Sequence, residues 1–172
     1  MMSPIIRLLT AEDSKEFYKI RLEGLETHPE AFGTGADDFR KATDEQVKDQ
    51  LSKSAQNDFT VGAFDHGQLV GVVSFKREPK HSVRHKATVW GFFVIPSYRK
   101  QGLGKALLTK LIELANEIQG VDYLRAIVTV SNLNAGNTFK VLGFLEYGLE
   151  KNGIKEGSHY FDQSFVKLDL EK

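Results

Sequence analysis

The chain contains no cysteine. Disulfide stapling, thiolate nucleophiles and cysteine-held zinc or iron–sulfur centres are therefore excluded. It also lacks any excess of one charge, with 23 lysines and arginines against 23 aspartates and glutamates. Capture of nucleic acid or anionic membrane by bulk charge leaves a basic surplus, so neither partner is expected. No apolar run approaches the ~20 residues that span a bilayer. Met1 to Thr10 shows no basic leader followed by an apolar stretch, and a cytoplasmic protein is expected. Internal repeats, low-complexity tracts and linkers are missing too, so the 172 residues, 1–172, are expected to form a single domain.

What is present is an ordinary globular mixture, 41% hydrophobic and 27% charged. Ile5 to Leu9 reads as a short strand, and Thr10 to Asp13 opens a helix that ends before Pro29. Thr43 to Gln46 opens a second helix through Leu51, after a glycine-flanked segment, Glu30 to Gly35, that carries Phe32. Phe59–Phe64 and Leu69–Phe75 flank Asp65-His66-Gly67-Gln68, a strong hairpin signal. Ala87 to Ile95 is a long apolar strand, and Gly91 inside it suggests a bulge or close backbone approach. Leu103 to Ile118 is an amphipathic helix stopped by Gln119-Gly120. Tyr123 to Val130 is apolar on both faces, as expected of a strand sandwiched inside a sheet. A short helix from about Asn134 to Leu142 follows. Phe144–Glu150 and Tyr160–Leu170 form a closing strand pair joined through Lys151-Asn152-Gly153 and following residues. The order β-α-α-β-β-β-α-β-α-β-β predicts one mixed α/β domain.

Between the long strand and the amphipathic helix lies Arg99-Lys100-Gln101-Gly102-Leu103-Gly104-Lys105. A helix start leaves backbone N–H groups unpaired and carries partial positive charge, and two glycines let an anion approach that backbone. Arg99 and Lys105 add charge at the rim. Two familiar phosphate loops fail here: Gly104-Lys105 is followed by Ala106 rather than Ser or Thr, and Leu occupies position 107 where a third glycine is needed. A plain tight turn with a solvated helix start is the simpler alternative.

Taken with Asn132-x-x-Ala135 and Lys140-Val141-Leu142-Gly143-Phe144 further on, the loop resembles the GNAT superfamily of acetyl-CoA-dependent N-acetyltransferases. That family carries R/Q-x-x-G-x-G/A after its fourth strand and N-x-x-A-x-x-x-Y-x-x-x-G-F after its fifth. The likeness is strong from Ala87 to Phe144, and Pro29-Glu30-Ala31-Phe32-Gly33 matches a stretch found in a bacterial subgroup. The resemblance implies a GNAT fold with splayed fourth and fifth strands. It implies acetyl-CoA as cofactor and direct transfer of acetyl to the primary amine of a small molecule. A protein N-terminus or lysine is the alternative acceptor, and a non-catalytic acyl-CoA sensor is the alternative of another class. Homodimers are common in the family, and no metal site is expected.

Residue by residue, the resemblance implies that Phe93 and Val94 offer backbone to the pantetheine arm. Arg99, Lys100, Gln101, Gly102, Leu103, Gly104 and Lys105 would wrap the diphosphate. Asn132 matches a family asparagine that contacts the pantetheine, although a helix cap would suit it equally, and Asn137 is a weaker contact. The family tyrosine that protonates the departing thiolate falls at position 139, which is Phe. Tyr160, Tyr98 or water would have to serve. The strand carboxylate that acts as base in some relatives falls at Thr88. Glu78 and Glu26 are the preferred candidates instead, ahead of Glu23, His81, His85 and His159. Phe32 and Trp90 are expected to wall the acceptor pocket.

Overall fold

In the computed structural model, residues 4–171 are described. The expectations that a single domain fills 1–172 and that Met1 to Thr10 carries no leader reach residues 1–3 and 172, which lie outside the described residues. The chain opens with β1 (Ile5–Leu8) and α1 (Ser14–Thr27). A short α2 (Ala36–Arg40) and α3 (Asp44–Leu51) follow, then β2 (Asp58–Asp65), β3 (Gln68–Arg77) and β4 (Lys86–Val94). The second half runs α4 (Leu103–Asn116), β5 (Tyr123–Thr129), α5 (Leu133–Val141), β6 (Leu145–Glu156) and β7 (His159–Asp169). This is the expected order with one extra helix, α2, which lies just beyond Gly33 and Gly35. Five residues with no apolar period gave no helical signal there. No helix among the described residues is long and apolar enough to cross a membrane.

The local signals explain the boundaries. The Thr10 N–H donates to Asp13 at 2.8 Å, and Thr43 and Gln46 form a reciprocal capping box that starts α3. His66 (φ 47°) and Gly67 (φ 80°) are both left-handed, which gives the two-residue turn that joins twisted strands without splaying them. The closing hairpin departs from expectation. β6 continues to Glu156 and turns at residues 157–158, while Lys151–Gly153 is a bulge within the strand, with Asn152 at φ 55° and a register shift between Glu150 and Ile154. A turn-like triplet inside a strand is indistinguishable in sequence from the turn itself.

Seven strands form one sheet in the order β1-β2-β3-β4-β5-β7-β6. Only β4 and β5 run parallel. One face is covered by α4, whose Leu107, Leu108 and Leu111 are fully buried against Val61, Val73, Phe75, Val89 and Leu124. The other face carries α1 and α3, with Phe17, Ile20, Val47 and Leu51 packed on Leu9, Leu69, Val72 and Phe93. β5 is covered on one face only: Leu124, Ala126 and Val128 are buried, whereas Ile127 is 50% exposed. The expected sandwich fails there because α1 stops short of β5. A tie across that gap is the Thr129 hydroxyl, which donates to the Glu30 carbonyl at 2.7 Å.

Candidate active site

β4 and β5 pair through three positions only, Lys86 with Tyr123, Ala87 with Leu124 and Thr88 with Arg125. Beyond them the strands diverge. β4 bulges at Gly91, whose φ of 63° suits glycine, and its register with β3 slips between Val72 and Ser74. The divergence opens a cavity of about 690 Å³, lined by Phe92, Phe93 and Val94 from β4, the loop before α4, the start of α5, and His28 to Phe32. Ile95 N–H donates to the Val70 carbonyl of β3 at 3.1 Å. Successive residues of a strand turn their amides to opposite sides. Val94 and Phe92 therefore present backbone to the cavity, while Phe93 faces back to its partner Val72. This corrects the expected backbone role of Phe93: its ring lines the cavity, and its N–H and C=O belong to the sheet.

The glycine loop is built for close approach. Pro96–Tyr98 is a single 3-10 turn, after which Lys100 (φ 60°) and Gly102 (φ 81°) both adopt the left-handed conformation. Gly102 caps α4 without any side-chain partner. The N–H groups of Lys100 to Lys105 find no acceptor within the described protein, so six donors gather at the positive end of a 14-residue helix. Gly104 is needed for space, since a Cβ there would lie 2.9 Å from Cζ of Phe92. The side chains divide the work. Lys100 and Lys105 line the cavity. The Gln101 amide donates to the Ser97 carbonyl at 3.0 Å and braces the turn, and Leu103 is buried in the core at 7% exposure. Both therefore offer only main chain to a ligand. Arg99 folds inward rather than to the rim. Its Nε donates to the Val94 carbonyl at 2.7 Å, its Nη2 lies 3.2 Å from Nε2 of His28, and its guanidinium sits 5.4 Å from the Phe93 ring centre.

Across the cavity, Asn132 caps α5, its Oδ1 accepting from the Ala135 N–H at 3.2 Å, which leaves its amide nitrogen for other contacts. Asn137 lines the same wall. Phe139 is core at 3% exposure, edge-on to Phe92 (5.8 Å) and Phe144 (4.9 Å). The candidate proton donors stand elsewhere. Tyr160 is 55% exposed near the tip of the β6–β7 hairpin beside Lys155, so the expectation that it is catalytic is corrected. Tyr98 donates to Asp65, and that hydrogen bond holds its phenol above the usual tyrosine range. Among the described residues no tyrosine lines the cavity.

The face of β4 turned toward α1 carries the remaining candidates. Ser74 stands opposite Trp90 and Lys76 opposite Thr88, so Thr88 and Trp90 project to the same side. At the apex of the splay, Glu78 accepts from Arg125 at 2.6 Å and from the Thr88 hydroxyl at 3.4 Å. The carboxylate missing from β4 at Thr88 is thus delivered to the same spot by the residue just beyond β3. Glu26 is corrected as a base because it is half-exposed and turned to Arg40 of α2 rather than to the apex where β4 and β5 part. Phe32 lines the cavity, whereas Trp90 is absent from its lining and packs against Arg21. Sequence reasoning missed three residues here: His28, which joins Arg99 to Glu30 (Nδ1 to Oε1, 3.4 Å), together with Arg21 and Arg125. None belongs to a spaced motif, and only the pairing of distant elements exposes them.

The profile of the Acetyltransferase (GNAT) family matches residues 14–144. The [ribosomal protein bS18]-alanine N-acetyltransferase of Escherichia coli strain K12 is 40% identical over 70 residues. That match spans 41% of this chain and 47% of the enzyme, about half its length. The acetyltransferase of GNAT family from Streptococcus pneumoniae superposes with a TM-score of 0.85 at 23% identity, covering 98% of this chain and 99% of that one. A Salmonella typhimurium protein solved with its cofactor acetyl-CoA gives 0.81 at 19% identity, covering 99% and 96%. At these identities the structural likeness is one of fold. With splayed central strands, a glycine loop at the start of α4 and a family profile that spans most of its length, the chain belongs to the GNAT acetyltransferase family.

Proposed function

We propose that the protein transfers an acetyl group from acetyl-CoA directly to a primary amine. One observation carries this reading: a single cavity is lined both by Val94, whose N–H faces away from β3, and by Lys100, Gly102, Gly104 and Lys105, whose N–H groups are unpaired. The residues present fit the cofactor. The loop N–H groups, with Lys100 and Lys105, would hold its diphosphate. Val94, Asn132 and Asn137 would align its pantetheine arm, and Arg99 would fix the Val94 carbonyl. Bound acetyl-CoA supplies a thioester electrophilic enough for a neutral amine. Glu78, at the apex, accepts the amine proton, directly or through water. With no tyrosine in the cavity and Phe139 in the core, water protonates the leaving thiolate.

The acceptor in this reading is a small amine. The 40% match to the bS18-alanine enzyme favours a second acceptor, the N-terminus of a protein. Thiol release from acetyl-CoA across amines, polyamines and peptides tests the proposal. Glu78→Gln should lower kcat by at least about 100-fold while leaving acetyl-CoA affinity unchanged. Tight acetyl-CoA binding with no thiol release on any acceptor would favour a sensor instead.

A further inference from the structure

Arg21, on the inner face of α1, is 7% exposed and makes no hydrogen bond or ion pair with any described residue. Its Nη1 is sealed from water without a partner, and so is Nε1 of Trp90. The guanidinium lies 4.7 Å from the Phe32 ring centre and 5.4 Å from that of Trp90. Burial pulls its pKa down to about 10, so it remains charged at neutral pH. Two ring contacts offset only part of the cost of an unpaired buried cation. An arginine kept for packing alone would be expected to have a carboxylate or carbonyl beside it.

Its position is specific. A Cβ built on Gly91 would stand 3.7 Å from Nη1 of Arg21 and 3.7 Å from Oγ of Ser74, so the guanidinium overlies the bulge where β4 leaves β5. The Ser74 hydroxyl is already engaged with Thr60 at 2.7 Å. Two buried donors, Nη1 of Arg21 and Nε1 of Trp90, are thus left without an acceptor where the guanidinium lies over the indole. One strand repeat back along the same face of β4, about 7 Å from Trp90, lies Thr88, with the Glu78 carboxylate against it. The acceptor face therefore presents a negative group at the apex and a positive one over the bulge.

We infer that the acceptor is an amino acid, its amine directed to Glu78 and its own carboxylate bound by Arg21 and the indole N–H of Trp90. This rests on the acetyl-transfer reading above and narrows its substrate class. Phe32 is the partition, since its ring touches both the cavity and the guanidinium. In this reading the incoming carboxylate displaces the Phe32 ring, which leads into a segment whose Gly33 and Gly35 lie in open space.

Trp90 is the sole tryptophan and reports on the subsite directly. Free L-amino acids and β-alanine, each beside its carboxamide, are titrated into the acetyl-CoA-loaded protein by indole fluorescence, with thiol release followed in parallel. Acids should bind at least about tenfold more tightly than their amides. Arg21→Met should bring that ratio close to one with acetyl-CoA affinity unchanged, and Arg21→Gln does the same if the methionine variant fails to fold. Equal binding of acid and amide by the unmodified protein would overturn the inference, as would a preference that survives both substitutions. A variant that merely loses Tm while keeping the ratio would make Arg21 a packing brace. Acid binding without thiol release refutes the transfer chemistry and leaves the subsite standing.

Discussion

Replacing Gly102 by aspartate puts a carboxylate at the mouth of the glycine loop proposed to hold the diphosphate, and the structure sets the size of the effect. The backbone there is left-handed, φ 81° and ψ 0°, and a built Cβ meets nothing within 4 Å. A non-glycine residue in that conformation costs roughly 1–2 kcal/mol. Aspartate at the N-cap of α4 returns about 1 kcal/mol. Net stability should therefore stay within about 1 kcal/mol, a Tm change of no more than about 4 °C in a protein of this size. Binding is another matter. A carboxylate about 5 Å from one phosphate charge, at an effective dielectric near 20, repels it by about 3 kcal/mol. Screening at physiological salt roughly halves that figure. The Kd for acetyl-CoA should rise roughly 10- to 30-fold. Gly102→Asn has the same bulk without the charge and should weaken binding by less than about threefold. Isothermal titration of both variants, repeated at about 0.5 M salt where the Debye length shrinks, isolates the electrostatic part. Equal affinities for the folded aspartate and asparagine variants would refute the loop assignment.

Phe139→Tyr, which restores the family residue, should lower Tm by several degrees without raising kcat. The added hydroxyl lands among the Phe92 and Phe144 rings with no acceptor, at a cost of about 1–3 kcal/mol, and a calorimetric scan beside a rate assay checks both parts. Asp13 accepts two hydrogen bonds from Arg7 and one from the Thr10 N–H, all at 2.8 Å, and the Arg7 bonds hold its carboxyl below the usual 3.8. A depressed carboxyl contributes stability above its unfolded pKa and loses it as pH falls through the folded value. Asp13→Asn should accordingly lower Tm at neutral pH, with the difference fading as pH drops below about 3.8. A gap that stays constant into acid would contradict that linkage.

Much of the fold was legible because its signals are local. His66-Gly67 permits only a primed turn, Thr43 and Gln46 start a helix by reciprocal capping, and Gly91 marks a bulge. The left-handed glycine turn before α4, with its unpaired N–H groups, was legible for the same reason. The remainder depended on contacts between distant segments. Nothing near Glu78 in sequence reveals that Thr88 and Arg125 will receive its carboxylate, 10 and 47 residues away. Nor does Arg99 announce that it will turn inward to His28, 71 residues before it. Phe93 and Val94 look alike in sequence, and only the pairing with β3 decides which of them offers its backbone to the cavity. Tyr160 failed as a candidate because the hairpin extends beyond the bulge that resembled its turn.

The short contact between β4 and β5 has a mechanical corollary. Four strands on one side and three on the other form two plates, joined over three residue pairs like a knuckle. Arg125 and Glu78 sit at that knuckle, and the bond from Thr129 to the Glu30 carbonyl acts as a latch at the far lip. The gap between the plates is thus braced at both ends, by the strand pairing at the knuckle and by this bond at the lip.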